Sequence, residues 1–360
     1  MRRNKPSIKN ILKIAGAFMA WVIGSGFATG REALQFFSSY GYKSYGVVLI
    51  NLFGFVALGY LLMKTGFEEK DTPRFNHFSY FCGRKMGAFY TWLITATLML
   101  LIPVLIAGGG ATLNQYYGLT PYLGSAFMAA SVLAAYLIGF ERMIKIISSL
   151  GPLIIAFTLS VGTISLVKDI RQWDQIKLYE DALSPYRSSP HWLLSGILYL
   201  GLNFFPGSAY FTRVGASASA KKELKYGAVL GGTVLVASIA IMSTAIMLNG
   251  KDIAGLEIPV LYLAGKISYI FGAVFSAILV LGIFSSCSVM MWTVCSRFTF
   301  KNKNHNRLLA VIISIAAYLV SLFSFGTLIG TIYPLVGYVG LFFIACVLYK
   351  NIDGKKSAAK

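Results

Sequence analysis

Residues 10–39 read NILKIAGAFMAWVIGSGFATGREALQFFSS. The stretch is long and apolar enough to cross a bilayer, yet it is interrupted at its own centre by Ile23-Gly24-Ser25-Gly26. Glycine permits unwinding, and amides and carbonyls freed in hydrocarbon cost several kcal/mol each unless protein, water or a ligand meets them. Two readings are open. Small residues let two helices approach closely, and a mid-membrane interruption builds binding sites in transporters.

The rest of the chain weighs on that choice. Of 360 residues, 56% are hydrophobic and only 12% are charged, which marks an integral membrane protein. Ten apolar runs are expected to span, at about 11–38, 44–63, 87–117, 121–140, 144–167, 191–212, 226–248, 268–296, 308–324 and 327–349. Alternating strands of the β-barrel kind are absent from the pattern. Net charge is +19, but its distribution argues against nucleic acid. With a cytoplasmic N-terminus and alternating spans, 24 of the 32 Lys and Arg face the cytoplasm. The basicity therefore reports orientation and anionic lipid headgroups. The cysteines, Cys82, Cys287, Cys295 and Cys346, have no metal spacing and imply no disulfide framework. The basic, then apolar N-terminus outruns a signal peptide and meets Arg31-Glu32 in place of a cleavage site, so it reads as span 1.

The link 168–190, with four basic and four acidic residues, divides the chain into two sets of five spans. Five is odd, so the second set enters the membrane from the opposite side, as an inverted repeat requires. Span 1 starts near Asn10 and span 6 near His191, an offset of 181 that carries Gly24, Ser25 and Gly26 onto Phe205, Pro206 and Gly207. Proline removes a donor and crowds the preceding turn, so a matching break is expected in span 6. The expected organisation is a cytoplasmic tail (1–9), a first repeat (10–168), an external loop (169–190), a second repeat (191–350) and a cytoplasmic tail (351–360).

At these residues the chain resembles the amino acid–polyamine–organocation superfamily. Ile23-Gly24-Ser25-Gly26-Phe27-Ala28-Thr29-Gly30 is similar to its span 1 signature, and Tyr199-Leu200-Gly201-Leu202-Asn203 to its span 6 pattern, with Asn203 in place of an acid. Over nearly the whole chain it also resembles bacterial YkvI-type membrane proteins, regarded as amino acid permeases. The resemblance implies a LeuT-type fold: all-α, polytopic, ten transmembrane helices in a 5+5 inverted repeat with helices 1 and 6 broken at mid-membrane. It also implies a multi-pass protein of the bacterial cytoplasmic membrane with both termini in the cytoplasm.

An amino acid zwitterion needs a donor set for its carboxylate and an acceptor set for its ammonium. A half-helix starting after Gly24 presents free N–H groups, and half-helices ending before Gly24 and near Asn203 present carbonyls. The candidate substrate site is Ile23, Gly24, Ser25, Gly26, Gly109, Leu202, Asn203, Phe204 and Phe205, with no charged side chain expected at mid-depth. For each Phe, core packing is the alternative. Gly108-Gly109-Gly110 allows close approach of either substrate or span 8.

The resemblance implies a sodium site between spans 1 and 8, formed by carbonyls of Ala20, Ile23 and Gly282 and hydroxyls of Ser285 and Ser286. Back-bonding of the serines to their own helix is the alternative. Proton-coupled relatives carry a lysine at a span 5 position that aligns with Gly151. Lys145 lies six residues earlier and pairs in sequence with Glu141, so sodium is the expected coupling ion and a proton the alternative. No resident cofactor is expected. Arg31 and Glu32 sit about 7–9 Å beyond Gly26 along a straight helix. Relatives place an arginine there in an outer gate, while snorkelling to the interface is the alternative.

An enzyme would need a nucleophile–base pair or paired carboxylates in the bilayer. His77, His191 and His305 lie at span ends or in loops, so an enzyme is not the expected reading. A channel would need a selectivity ring. The expectation is a symporter of a small neutral amino acid or related solute working by alternating access. A proton-coupled transporter of another solute and a transport-inactive sensor or scaffold are the alternatives.

Overall fold

The computed structural model describes residues 6–298 and 303–358, with the side chains of 140–150, 303 and 353–358 outside that description. The sequence pairing of Glu141 with Lys145 therefore lies outside the described residues. In chain order the helices are α1 (Ile8–Val22), α2 (Ser25–Ala28), α3 (Arg31–Phe36), α4 (Ser44–Glu68), α5 (His77–Tyr117), α6 (Pro121–Ile138), α7 (Phe140–Asp169) and α8 (Ile176–Leu183). They continue with α9 (Trp192–Ala216), α10 (Lys221–Leu248), α11 (Gly250–Ile253), α12 (Pro259–Ile267), α13 (Tyr269–Cys295), α14 (Lys303–Val320) and α15 (Phe325–Ala358). Short polar signals set several ends. The Asn76 side chain accepts from Ser79 N at 3.0 Å, and that of Ser268 from Phe271 N at 3.1 Å. Thr120 precedes Pro121 at the first turn of α6, and Gly118, with φ 70°, closes α5.

Seven helices among the described residues are long and apolar enough to cross a membrane, against ten expected spans. The stretch 11–38 is divided among α1, α2 and α3, so no single helix there is long enough. The run 308–324 lies in a shorter apolar helix. The run 191–212 forms α9, a helix of 25 residues that carries Asn203 and Arg213 and falls outside the apolar class.

The expected break in span 6 is absent: α9 runs as one helix through Phe205, Pro206 and Gly207. The physical reason is that proline removes only one intrahelical bond, and the disturbed turn finds help from outside. Trp21 Nε1 donates to the carbonyl of Asn203 at 3.1 Å, on the turn that precedes Pro206. Gly207 serves that contact, because a Cβ there would press into the Trp21 indole.

Two helical groups make up the core. Helices α1, α4, α9 and α10 pack on one another, and α5, α6, α13 and α14 form the second group. Helix α7 touches α10 and α13, while α15 lies on α9 and α5. Glycines bring α9 into backbone contact on two sides. A Cβ on Gly215 would collide with the Met63 carbonyl of α4, and one on Gly201 with the Gly337 carbonyl of α15.

One end of the bundle is closed by a cap of α8, α11, α12 and the 3-10 turn Ser38–Lys43. Every residue from Phe27 to Gly41 is buried, whereas Lys9, Lys13, Gly16 and Ala20 of α1 are exposed. The two ends of the span 1 region thus differ sharply in enclosure.

Candidate functional site

The span 1 interruption is real and double. Helix α1 stops at Val22, Ile23 takes φ −81° and ψ 65°, and Gly24 is extended. The last bond of α1 runs from Ile23 N to Met19 O at 2.8 Å. The carbonyls of Ala20, Trp21, Val22 and Ile23 therefore have no following turn to bond them, and the first amides of α2 have no preceding one. After a single turn the chain breaks again at Gly30, which has φ 82°. A Cβ there would press on Val260 of α12, whose amide donates to Thr29 O at 3.1 Å. Only glycine meets both demands at this position. Thr29 Oγ1 closes the turn by donating to Gly26 O at 2.6 Å.

The second break corrects an expectation. On a straight helix Glu32 would stand well beyond Gly26. The left-handed turn at Gly30 folds α3 back, and a Cβ on Gly26 would collide with Glu32 Oε1. A carboxylate therefore sits at the break, where no charged side chain was expected. Its other oxygen accepts from the Tyr199 hydroxyl of α9 at 3.3 Å. The Tyr333 hydroxyl of α15 closes on the same glycine.

On its other flank the break meets span 8. Ser25 Oγ donates to Ser286 Oγ at 3.1 Å, so Ser286 bonds across to span 1. Ser285 is buried beside it, and Gly282, one turn earlier, is covered by Ile154 of α7. Ala20 is exposed, and a Cβ on Gly151 or Gly24 would meet open space or only the Trp21 carbonyl at 3.9 Å. The structure thus brings Ser25 to Ser286, with α7 against α13 beside them. It also brings Asn203 to span 1, through Trp21.

Other candidates are placed elsewhere. Phe204 packs on Phe55 and Phe211, with centroids 5.2 Å away in both pairs. Phe205 packs on Tyr90 at 5.3 Å and on Phe78 at 5.8 Å. Both rings therefore belong to the aromatic core around α9. Leu202 is buried in the same helix. Gly109 faces Met128 of α6 and Gly110 faces Ser125, so these two glycines seat α6 on α5, while Gly108 faces Phe325 of α15.

Arg31 is turned away from Glu32 and into the cap. Its Nη1 donates to Leu256 O at 2.8 Å, and its guanidinium carbon stands 4.7 Å from the centre of the Tyr186 ring. Glu257, which the sequence reading missed, accepts from Gly326 N at the start of α15 at 2.6 Å. Span 10 itself offers Arg31 no acid, and Glu257 stands next to Leu256, the residue whose carbonyl Arg31 bonds. Nothing local in Leu256-Glu257-Ile258 signals this, because its partners come from distant segments. Gln115 of α5 holds the same loop from both sides: its amide nitrogen donates to Ile258 O, and its oxygen accepts from Ile258 N, each at 2.9 Å. Lys266, Asp169 and Asn249 tie α12 to α7, with Lys266 Nζ 3.0 Å from Asp169 Oδ1 and 2.6 Å from Asn249 Oδ1.

A helical membrane protein with an interrupted first span, sealed at one end, is the class these features define. Similar structures include a mutant of the Eremococcus coleocola manganese transporter, with a TM-score of 0.54 at 12% identity over 96% of this chain and 81% of that one. The same transporter in complex with an aromatic bis-isothiourea substituted compound gives 0.52 at 14%, over 94% and 79%. The chain thus shares its fold with membrane transporters. Among curated proteins it is similar to the uncharacterized membrane protein YkvI of Bacillus subtilis, 28% identical over 96% of this chain and 97% of that protein. It is also similar to YyaD of the same organism, 25% identical over 98% of each chain. No family model matches the chain. Among the described residues no three His, Cys, Asp or Glu side chains converge as a metal site would need.

Proposed function

We propose that the protein is a secondary active transporter, a symporter that carries a small neutral amino acid or related solute by alternating access. The observation that carries this reading is the span 1 break. It sets unpaired carbonyls and amides side by side, joined to span 8 through Ser25 and Ser286. Such a pair of half-helix ends complements both charges of a zwitterion. Helix grouping supports a 5+5 inverted repeat, since the first two helices of each half pack together and the third and fourth form the other group. The excess of Lys and Arg in the expected cytoplasmic segments supports placing the cap outside the cell, so that the described conformation is closed outward.

Sodium is the proposed coupling ion at the span 1–span 8 junction. Hydroxyls of Ser285 and Ser286 and carbonyls of Ala20, Ile23 and Gly282 are the hard oxygen donors such an ion takes. Arg31 and Glu257 belong to the outer seal in this reading. The test is uptake of a radiolabelled amino acid panel into proteoliposomes, with an inward sodium gradient or with choline replacing sodium. Accumulation above equilibrium only with sodium is the expected result. Accumulation that follows a pH gradient and ignores sodium would remove the sodium site and keep the transporter. No accumulation under either gradient would sink the amino acid reading.

A further inference from the structure

Glu32 poses a charge problem that the proposed sodium site does not solve. The residue is only 8% exposed and lies between the break and the cap. One oxygen rests on Gly26, and the other accepts from the Tyr199 hydroxyl. Among the described residues no Lys, Arg or His pairs with it. The groups that face it are Tyr199 of α9 and Tyr333 of α15. Its neighbour Arg31 is committed to Leu256 and Tyr186. The other elements packed on α3 are α2, α10 and the turn Ser38–Lys43, and among the described residues none of them places a charged side chain against the carboxylate.

An enclosed carboxylate without a basic partner has to be matched by positive charge, because an isolated buried ion is very costly. With no fixed cation on hand, the match comes from a mobile one. A hard metal ion gathers about six oxygens, more than one carboxylate and two phenols provide. A proton needs no added volume and leaves the second oxygen free to accept from Tyr199.

We infer that Glu32 is a proton-binding site of the transport cycle, loaded from the solution beyond the cap when the seal opens and enclosed when it shuts. The proton adds to a carboxylate oxygen, and no other bond forms or breaks. The role in transport rests on the function proposed above, whereas the occupancy of Glu32 does not.

Infrared difference spectroscopy of the purified full chain in nanodiscs tests the occupancy without any substrate. The carbonyl stretch of a protonated carboxyl is distinct from the carboxylate bands. One such band is expected in the wild type near neutral pH and is lost in Glu32→Gln. Tyr199→Phe keeps the band but shifts it to higher frequency, since the carboxyl loses a donated hydrogen bond. If Glu32→Gln does not fold, that shift carries the test. A band unchanged in both variants overturns the assignment. Replacing choline by sodium at fixed pH separates the two possible cations. The proton assignment expects no change, and a band that sodium abolishes in the wild type overturns it. In proteoliposomes under an inward sodium gradient, Glu32→Gln is expected to lose the dependence of accumulation on the pH beyond the cap and to lower accumulation by at least about tenfold, the equivalent of about 1.4 kcal/mol. Wild-type liposomes that accumulate nothing, with the band present, would defeat the transporter reading and leave the site standing.

Discussion

Span 1 and span 6 read alike and fold differently. Both are apolar stretches with helix-disfavouring residues at the centre, Gly24-Ser25-Gly26 in one and Pro206-Gly207 in the other. Span 1 breaks twice, at Ile23-Gly24 and at Gly30, while span 6 stays helical throughout as α9. The difference lies in what surrounds each stretch. Around span 1 the side chains turned out by the breaks and one backbone carbonyl have partners on other elements: Ser25 meets Ser286 of α13, the Thr29 carbonyl meets Val260 of α12, and Glu32 meets Tyr199 of α9. Around span 6 the neighbours press in as backbone, and the disturbed turn gains one indole donor from Trp21. A break is thus decided by the partners available and not by the weak residue alone.

The largest effect should come from opening the welded side of that pair. Gly201→Leu puts a side chain where the Gly337 backbone lies. Overpacking against backbone is expected to cost about 3 kcal/mol or more. Thermal unfolding in detergent should show a sharply lowered midpoint. Gly16→Leu on α1 is the counterpart, because a Cβ there meets nothing within 4 Å. Its expected cost is within about 0.5 kcal/mol. Equal losses in the two variants would contradict the contrast between a welded and an open helix.

Next in size is the bond that joins the two spans. Trp21→Phe keeps an aromatic ring beside Tyr210, now 5.2 Å away and stacked, but removes the donor to the Asn203 carbonyl. The Asn203 carbonyl still faces the Gly207 amide within α9, so losing the indole bond is expected to cost up to about 1.5 kcal/mol. The same unfolding measurement reads it, and hydrogen exchange across 199–207 should rise if the turn before Pro206 depends on the indole. An unchanged exchange rate would mean that α9 holds itself without span 1.

Smaller still is the loss expected on the functional flank of span 1. Ser286→Ala removes the partner of Ser25, and on the sodium reading it removes one oxygen ligand as well. The half-saturating sodium concentration for uptake should rise about tenfold, equivalent to about 1.4 kcal/mol. Ser288→Ala, two residues on, removes only a bond back to Phe284 O at 2.8 Å and should leave sodium dependence unchanged. If the two serines behave alike, the cross-span bond has no bearing on the ion.

These contrasts also show why part of the architecture can be read from residues and part cannot. Bilayer thickness imposes long apolar runs, so the expected start of α4 at 44, the end of α5 at 117 and the limits of α13 fall within a residue or so of the helices observed. The first break is legible because two glycines in hydrocarbon demand an explanation. Gly30 is not, since its left-handed turn is fixed by Val260 of α12, remote in sequence. With that turn unseen, Glu32 is misplaced by straight-helix geometry, and the acid at the break goes unnoticed. Glu257 is hidden for the same reason, because its partner is the amide of Gly326, far away in sequence. Phe204 and Phe205 face the aromatic core because their helix never unwinds.

The least effect of all is expected at the residue that looks most disruptive. Pro206→Ala returns an amide to the turn facing the Leu202 carbonyl, and alanine favours a helix interior by about 3 kcal/mol over proline in an isolated host. In α9 that gain should shrink to within about 0.5 kcal/mol of zero. The helix is already formed, its turn before Pro206 already meets Trp21, and it is held on either side of that proline by Gly201 against α15 and Gly215 against α4. Uptake should survive the change, since α9 has no unwound turn for the proline to maintain. A Pro206→Ala protein that gains stability and loses transport would mean that α9 unwinds in a conformation other than this one, and the difference between the two spans would then belong to one state of the cycle and not to their sequences.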